Sequence, residues 1–369
     1  MQVPLLDLKR QWKTIRDTAL KNVTQVLDDQ ACVLGPRVAA FEKAVAAYSR
    51  VPHAIGCASG TDAILIGLRA LGVQGGEEVV TTPYTFFASA GAVVNAKGRP
   101  VFVDIERDSF NIDARQIEAA ITPKTRVIQP VHLYGQCADM DAINAIAKRR
   151  GLAVLEDAAQ SLGAEDKGRR AGSIGDIGAF SFYPSKNLGG VGDGGMMCTQ
   201  DAAIDTRLRA LRTHGGINRY FHDEVGWNSR LDALQVAVLE VKLPLLDGWS
   251  EARAKNARFY DEAFAGVAGV VTPRVLPGKR HIYNQYMLRC EGRDKLQEHL
   301  TKAGIGTAVY YPLSLHEQKC FADLGYKKGQ FPESERACLE NLSIPVNPEL
   351  TDAERSYVAE QVRAFYGAR

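Results

Sequence analysis

Three features of the sequence predict an α/β fold, a mostly parallel seven-stranded sheet flanked by helices, followed by a smaller α+β domain. Between residues 53 and 199, short apolar runs alternate with stretches of helical period. That is the pattern of strands and helices that wrap a parallel sheet. The runs Val127-Ile-Gln-Pro-Val131 and Ala153-Val-Leu-Glu-Asp157 are apolar almost throughout rather than alternating, as strands covered on both faces are. After Pro244 the helical segments turn more polar, and a Pro/Gly-rich stretch at 272–278 intervenes. A chain of 369 residues accommodates two such units. They are expected at residues 1–245 and 246–369.

The elements follow in chain order. Leu8, Trp12, Ile15, Ala19, Val23 and Val26 recur at steps of three and four, which predicts an amphipathic helix over 8–27. A strand at 53–58 precedes a helix at 62–71. The same alternation gives 78–82 then 86–97, 100–105 then 114–121, and 126–132 then 140–150. Strands at 153–156, 179–183 and 195–199 complete the sheet. Helical period returns over 202–212 and 231–243 until Pro244 interrupts it. Beyond it the spacing predicts helices over 249–264, 294–303 and 352–365, with strands at 285–290 and 305–310.

Composition excludes several classes of function. There are 45 basic and 43 acidic residues, a net charge of +2, so the general basic field of a nucleic-acid binder is missing. No apolar run approaches the roughly 20 residues that span a bilayer. Asp7 and Lys9 interrupt the N-terminal segment where a signal peptide needs an apolar core. A cytoplasmic enzyme without a membrane partner is expected. The seven cysteines are scattered and lack CxxC spacing, and the seven histidines form no HExxH pair. Neither a disulfide framework nor a metal site is expected.

Several segments carry candidate chemistry. Gly190-Val-Gly-Asp-Gly-Gly195 fits GxGxxG by letter, but it comes late and precedes a strand-like run, whereas a dinucleotide fingerprint opens a helix after a first strand. No GxxxxGK[ST] occurs. Ser59-Gly60-Thr61-Asp62 lies between a strand and a helix, where free N–H groups favour an anion; the same residues also read as a simple N-cap. Asp157 ends a buried strand at the edge where open α/β sheets bind ligands, or caps the next helix. Gln160 follows one helical step later. Lys186 sits in the aromatic-rich Phe180-Ser-Phe-Tyr-Pro-Ser-Lys-Asn187. Desolvation there lowers an amine's pKa and frees a nucleophile, although a lone lysine is ordinarily a solvated charge. Together, an anion site, a strand-end carboxylate and such a lysine meet the needs of pyridoxal 5′-phosphate. The Phe86-Phe87 pair offers a flat partner for the ring, or two core aromatics.

The chain resembles the DegT/DnrJ/EryC1/StrS family of sugar aminotransferases, within the fold-type-I pyridoxal phosphate enzymes. The resemblance rests on Ser59-Gly-Thr-Asp-Ala63, Thr82-Pro-Tyr-Thr-Phe-Phe-Ala88, Val131-His-Leu-Tyr-Gly135 and Glu156-Asp-Ala-Ala-Gln160. Ser181-Phe-Tyr-Pro-Ser-Lys-Asn187, Gly226-Trp-Asn-Ser-Arg-Leu-Asp232 and Tyr310-Tyr-Pro-Leu-Ser-Leu-His316 complete it, so that it spans nearly the whole chain. It implies that Lys186 is the Schiff-base lysine, Asp157 the partner of the pyridine nitrogen, and Gln160 the residue facing the ring hydroxyl. It further implies that Gly60, Thr61 and Ser181 hold the phosphate and that Phe86 stacks on the ring. Asn228 then reaches the phosphate of a neighbouring subunit, which implies an obligate homodimer.

The retained lysine at 186 resembles the transaminases of the family and not its dehydratases, which carry histidine there. Tyr134–Ile146 and Val225–Arg230 are most similar to the branch that aminates C3 of UDP-linked 3-keto hexuronates, with L-glutamate as donor. In that resemblance Arg230, Tyr310, Tyr311 and His316 face the substrate. Arg230 pairs with a carboxylate, or makes a structural ion pair with Asp232; His316 meets the sugar, or packs in its loop. Other readings of the same residues are a dTDP-linked keto-deoxysugar, an aminocyclitol ketone such as scyllo-inosose, and a regulatory protein that only binds the cofactor.

Overall fold

A computed structural model describes residues 1–216, 218 and 220–367. Helix α1 (Leu8–Asp28) begins where Asp7 accepts hydrogen bonds from the Lys9 and Arg10 N–H groups, and α2 (Gly35–Ser49) follows with Pro36 in its first turn. The central sheet contains β1 (His53–Cys57), β2 (Glu78–Thr81), β3 (Arg99–Phe102), β4 (Thr125–Ile128), β5 (Ala153–Asp157), β6 (Ile177–Ser181) and β7 (Gly195–Thr199). Between its strands run α3 (Gly60–Ala70), α4 (Ala88–Asn95), α5 (Ala114–Ala120) and α6 (Met140–Arg150), and α7 (Ala202–Leu211) follows it.

The seven strands lie in the order β1-β7-β6-β5-β4-β2-β3. β7 is antiparallel to both its neighbours, and the other pairings are parallel. The mostly parallel seven-stranded sheet read from the sequence is therefore present. Its faces are covered by separate apolar clusters. One holds Phe41, Val45, Phe182, Met196 and Val236; another holds Ile64, Leu68, Val79, Leu155 and Met197. Adjacent residues of one strand divide between these clusters, as the two-residue period of a strand requires.

After the sheet come α8 (Ala233–Lys242), a short 3₁₀ turn holding Pro244, and α9 (Leu246–Ala263). Proline in the first turn of a helix loses no intrahelical bond, so the helical path resumes almost at once. A three-stranded sheet is formed by β8 (Val270–Val271), β9 (Tyr286–Cys290) and β10 (Asn341–Ile344). It packs with α9, α10 (Arg293–Lys302) and α12 (Asp352–Phe365) around Tyr260, Tyr286, Leu288, Leu300, Ile344 and Val358.

Several details differ from the sequence reading, among them the strands β8 and β10, which were not anticipated. Residues 305–310 make only isolated bridges, Val3 with Ile305 and Ala308 with Ser343, because positive-φ Gly304 bends the chain and closely packed Gly306 follows. Helix α2 carries buried Val38, Phe41 and Val45 at helical spacing but was not anticipated. Nor was α11 (Pro332–Glu340), a short polar helix.

Candidate active site

The carboxyl edge of the parallel strands opens on a cavity of ≈ 490 Å³. Nine of the sequence-predicted residues line it: Gly60, Thr61, Phe86, Asp157, Gln160, Ser181, Lys186, Tyr310 and Tyr311. They come from the carboxyl ends of β5 and β6, from the segments that follow β1, β2, β5 and β6, and from the segment after α10. Chain order separates them widely; the parallel topology gathers them, because each of those strands ends at the same edge.

At one end of the cavity, Ser59 caps α3 by accepting the Asp62 N–H at 3.1 Å. Gly60 and Thr61 open the helix, and first-turn N–H groups have no intrahelical acceptor. Gly60 lies so close to Ser181 that an added Cβ would sit 2.6 Å from the Ser181 Cβ. Only glycine lets the helix start and the end of β6 approach this closely. The anion reading and the N-cap reading of this segment therefore coexist: Ser59 serves the cap, and its neighbours remain free for an anion.

Asp157 is the last residue of β5, buried with 4% exposure. Its Oδ2 accepts from Ser89 Oγ at 2.6 Å and its Oδ1 from the Ala159 N–H at 3.2 Å. Burial raises its pKa, and the two donors and the Lys186 charge oppose that rise. Its backbone is fixed by the Asp157 N–H to the Pro130 carbonyl (2.9 Å) and the His132 N–H to the Asp157 carbonyl (3.0 Å). Beneath it, Glu156 is fully buried and accepts from His132 Nε2 and from the N–H groups of Gly172, Ile174 and Gly175. The Ala138 N–H donates to His132 Nδ1, which leaves the proton on Nε2, facing Glu156. Despite burial, those donors hold Glu156 below the usual carboxylate range.

Lys186 lines the cavity, and burial brings its pKa down to about 8 against the pull of Asp157. Gln160 is held at both ends of its amide. Its Oε1 accepts the Tyr134 N–H at 2.7 Å, and its Nε2 donates to the Tyr311 hydroxyl at 3.1 Å. Tyr310 and Tyr311 are anchored to the large sheet through Tyr84, whose hydroxyl donates to the Tyr310 carbonyl and accepts the Tyr311 N–H. Of the two phenylalanines, Phe86 faces the cavity, 6.1 Å from the Tyr311 ring, whereas Phe87 stacks on Phe321.

Asn228, Arg230 and His316 do not line the cavity of this chain. Asn228 is exposed, and Arg230 is half-buried with no ion pair or hydrogen bond among the described residues, so the pairing with Asp232 is not formed. His316, expected to face the sugar with a packed loop residue as the alternative, is packed in its loop and does not line the cavity. It is 3% exposed, one ring nitrogen meets Ser314 Oγ at 2.9 Å, and the other meets Glu335 Oε1 at 3.1 Å. Sequence reasoning overlooked Thr85, Tyr183, Ser185, Asp193 and Gln285 in the lining, and Ser89 behind it. Among the described lining residues Lys186 is the one basic group. Among the described residues, no group of three or more His, Cys, Asp or Glu can hold a metal ion, and no helix is long and apolar enough to cross a membrane.

Known proteins share this architecture. The model of the DegT/DnrJ/EryC1/StrS aminotransferase family matches residues 13–363. The "Pleiotropic regulatory protein" of Geobacillus stearothermophilus is 49% identical, with 99% of each chain covered. Two relatives are each 42% identical. One is the UDP-N-acetyl-3-dehydro-alpha-D-glucosamine 3-aminotransferase of Acidithiobacillus ferrooxidans, with 98% of this chain and 97% of that one covered. The other is the UDP-2-acetamido-2-deoxy-3-oxo-D-glucuronate aminotransferase of Pseudomonas aeruginosa, with 95% and 97% covered. The crystal structure of S. venezuelae DesV in complex with a ketimine intermediate superposes with a TM-score of 0.97 at 40% identity, covering 100% of this chain and 99% of that one.

Proposed function

This chain belongs to the DegT/DnrJ/EryC1/StrS aminotransferase family, and on that premise we propose that it moves the amino group of L-glutamate to C3 of a UDP-linked 3-keto sugar derived from N-acetylglucosamine. Membership makes it a transaminase that depends on pyridoxal 5′-phosphate. The residues present fit that cofactor. The absence of a side chain at Gly60 lets the start of α3 close on Ser181, which brings the free N–H groups of α3 and the Ser181 hydroxyl together at the cavity wall, where a phosphate would be held. Asp157 suits the ring nitrogen, Gln160 the ring hydroxyl, Phe86 a ring face, and Lys186 the aldehyde carbon.

When bound, pyridoxal phosphate supplies the electron sink that makes an amino acid's α-proton removable. The chain's part is positioning and proton transfer. With its pKa near 8, the Lys186 Nζ takes and returns a proton close to neutral pH. The fixed carboxylate of Asp157 keeps a positive charge favourable at the ring nitrogen. Gln160, locked between Tyr134 and Tyr311, presents its amide in one orientation. Tyr310 and Tyr311 carry residues of the smaller unit, 246–369, to the cavity rim, where they shield the reacting atoms from water.

The observation that carries the reading is the meeting of Lys186 and Asp157 in one cavity large enough for a cofactor and a sugar. The substrate class rests on the two 42%-identical relatives, both named for 3-keto UDP-sugars. A carboxylate at C6, as in the glucuronate form, calls for a cation beyond Lys186. In our reading Arg230 of a second subunit supplies it, and Asn228 of that subunit reaches the phosphate, so the working form is a homodimer. The product then enters a cell-surface polysaccharide. The test is a substrate panel: UDP-linked 3-keto sugars with and without a C6 carboxylate, dTDP-linked 3-keto and 4-keto deoxysugars, and scyllo-inosose. Turnover confined to the UDP 3-keto sugars supports the reading, and preference for any other member replaces it. Absence of turnover across the panel, with cofactor bound, favours the regulatory role suggested by the name of the Geobacillus relative.

A further inference from the structure

Beside Asp157 are two buried hydroxyls, Thr85 at the cavity wall and Ser89 behind it, that the transamination chemistry leaves without a role. Thr85 and Ser89 precede and enter α4 and are 2% and 1% exposed. Ser89 Oγ lies 2.6 Å from Asp157 Oδ2 and 2.8 Å from Thr85 Oγ1. A hydroxyl has one proton to give, and an ionised carboxylate can only accept. Ser89 therefore donates to Asp157, and Thr85 must donate to Ser89. The donor order has a single direction, from Thr85 through Ser89 to Asp157. Ser89 is itself pinned, because its carbonyl accepts Gln129 Nε2 at 2.8 Å and its N–H bonds the Phe86 carbonyl at 3.1 Å. With Ala159 on the other oxygen, the carboxylate of Asp157 cannot turn without breaking a hydrogen bond.

We propose that Thr85 and Ser89 form a positioning pair for Asp157, one that fixes the plane of its carboxylate and keeps the shared proton on the cofactor's ring nitrogen instead of on Asp157. The inference rests on the reading of Asp157 as the ring-nitrogen partner. A carboxylate that accepts a strong hydrogen bond is a weaker base, and burial otherwise pushes Asp157 toward holding the proton itself. The other titratable groups facing Asp157 are Lys186, His132 and the Tyr311 phenol. Among the described residues none of these three donates a hydrogen bond to it: His132 is engaged by Glu156, and Tyr311 accepts from Gln160.

The test compares the holoenzyme with its Ser89→Ala, Thr85→Val and Asp157→Asn variants. The readout is the pH midpoint of the visible absorption change of the lysine-bound cofactor, with apoenzyme melting temperature measured alongside. A positive charge at the ring nitrogen makes the lysine–cofactor linkage give up its own proton more easily. Losing that charge therefore raises the midpoint. The proposal predicts a rise of about one pH unit, tenfold in proton affinity, for Ser89→Ala. Thr85→Val should shift it less in the same direction, and Asp157→Asn more. Thr85→Val keeps the shape of the side chain and carries the test should Ser89→Ala fail to fold. Lower melting temperatures with unmoved midpoints in the two hydroxyl variants, while Asp157→Asn still shifts, would overturn the positioning role alone. If Asp157→Asn also leaves the midpoint in place, the assignment of Asp157 falls, and the inference with it.

Discussion

Asp157 at the end of β5 and Lys186 in the loop after the adjacent β6 face one cavity, and each draws the other toward its charged form while burial pushes both toward neutrality. For Lys186 burial wins, so its amine is half neutral at about pH 8. The apoenzyme should therefore capture pyridoxal phosphate at a rate that rises with pH and levels off above about pH 8, well below an ordinary lysine at roughly 10.4. Removing the anion in Asp157→Asn takes away the influence that raises the amine's pKa, so the plateau should begin at lower pH. Stopped-flow absorbance across pH measures both.

Asn228 lies outside its own chain's cavity, and its assignment predicts complementation between subunits. Lys186→Ala should lose turnover by about a thousandfold or more, and its apoenzyme should melt no lower at pH 7, because the substitution removes a buried amine. Asn228→Ala should weaken cofactor retention. Random mixing of the two variants by co-refolding should restore about a quarter of wild-type activity, since half the dimers are mixed and each mixed dimer holds one intact site. Activity that stays at the level of the separate variants places Asn228 outside the partner's site.

Gly60 permits a close approach that no larger residue allows. A Cβ there meets the Ser181 Cβ at 2.6 Å, and the proposed function assigns both positions to the phosphate. Gly60→Ala should cost about 1–3 kcal/mol of stability through overpacking and weaken cofactor binding more than it affects the apoenzyme's secondary structure. Equilibrium dialysis and circular dichroism separate the two effects.

Arg10 of α1 clasps Glu354 of α12 through two nitrogens at 2.8 and 2.6 Å, and the same carboxylate closes the capping box at Thr351. The Arg10 hydrogen bond lowers the Glu354 pKa to about 2. A depressed carboxylate stabilises the fold above its unfolded pKa of roughly 4.3, and that stability is lost as pH falls through about 2. Glu354→Gln should therefore unfold more readily at pH 7, and the difference from wild type should shrink between about pH 4 and pH 2. Denaturant melts at both ends of that window provide the check.

How much of this was legible in sequence depended on the kind of signal. The strands of the large sheet stood out because burial on both faces made Val127–Val131 and Ala153–Asp157 nearly continuous apolar runs. Lys186, Asp157 and Gly60 stood out because a nucleophile, a strand-end acid and a helix-opening glycine each carry a local chemical signature. Ser89 did not, since its role is set by Asp157 across 68 residues of chain. His316 was ambiguous because a loop histidine can serve binding or packing, and only the fold shows Ser314 and Glu335 occupying its ring. Asn228 and Arg230 do not line the cavity of their own chain, so a role for either at an active site calls for a second subunit, which only the family resemblance pointed to.

The central claim, amino transfer through Lys186 to C3 of a UDP-sugar, is tested most directly with 15N-glutamate. Purified protein, pyridoxal phosphate and a UDP-linked 2-acetamido-3-keto sugar are incubated, and the product is read by 15N-coupled NMR. The account predicts one 15N on C3 for each 2-oxoglutarate released, and none with Lys186→Ala. Label at C4, label surviving in the Lys186→Ala reaction, or 2-oxoglutarate formed without any labelled sugar would contradict it.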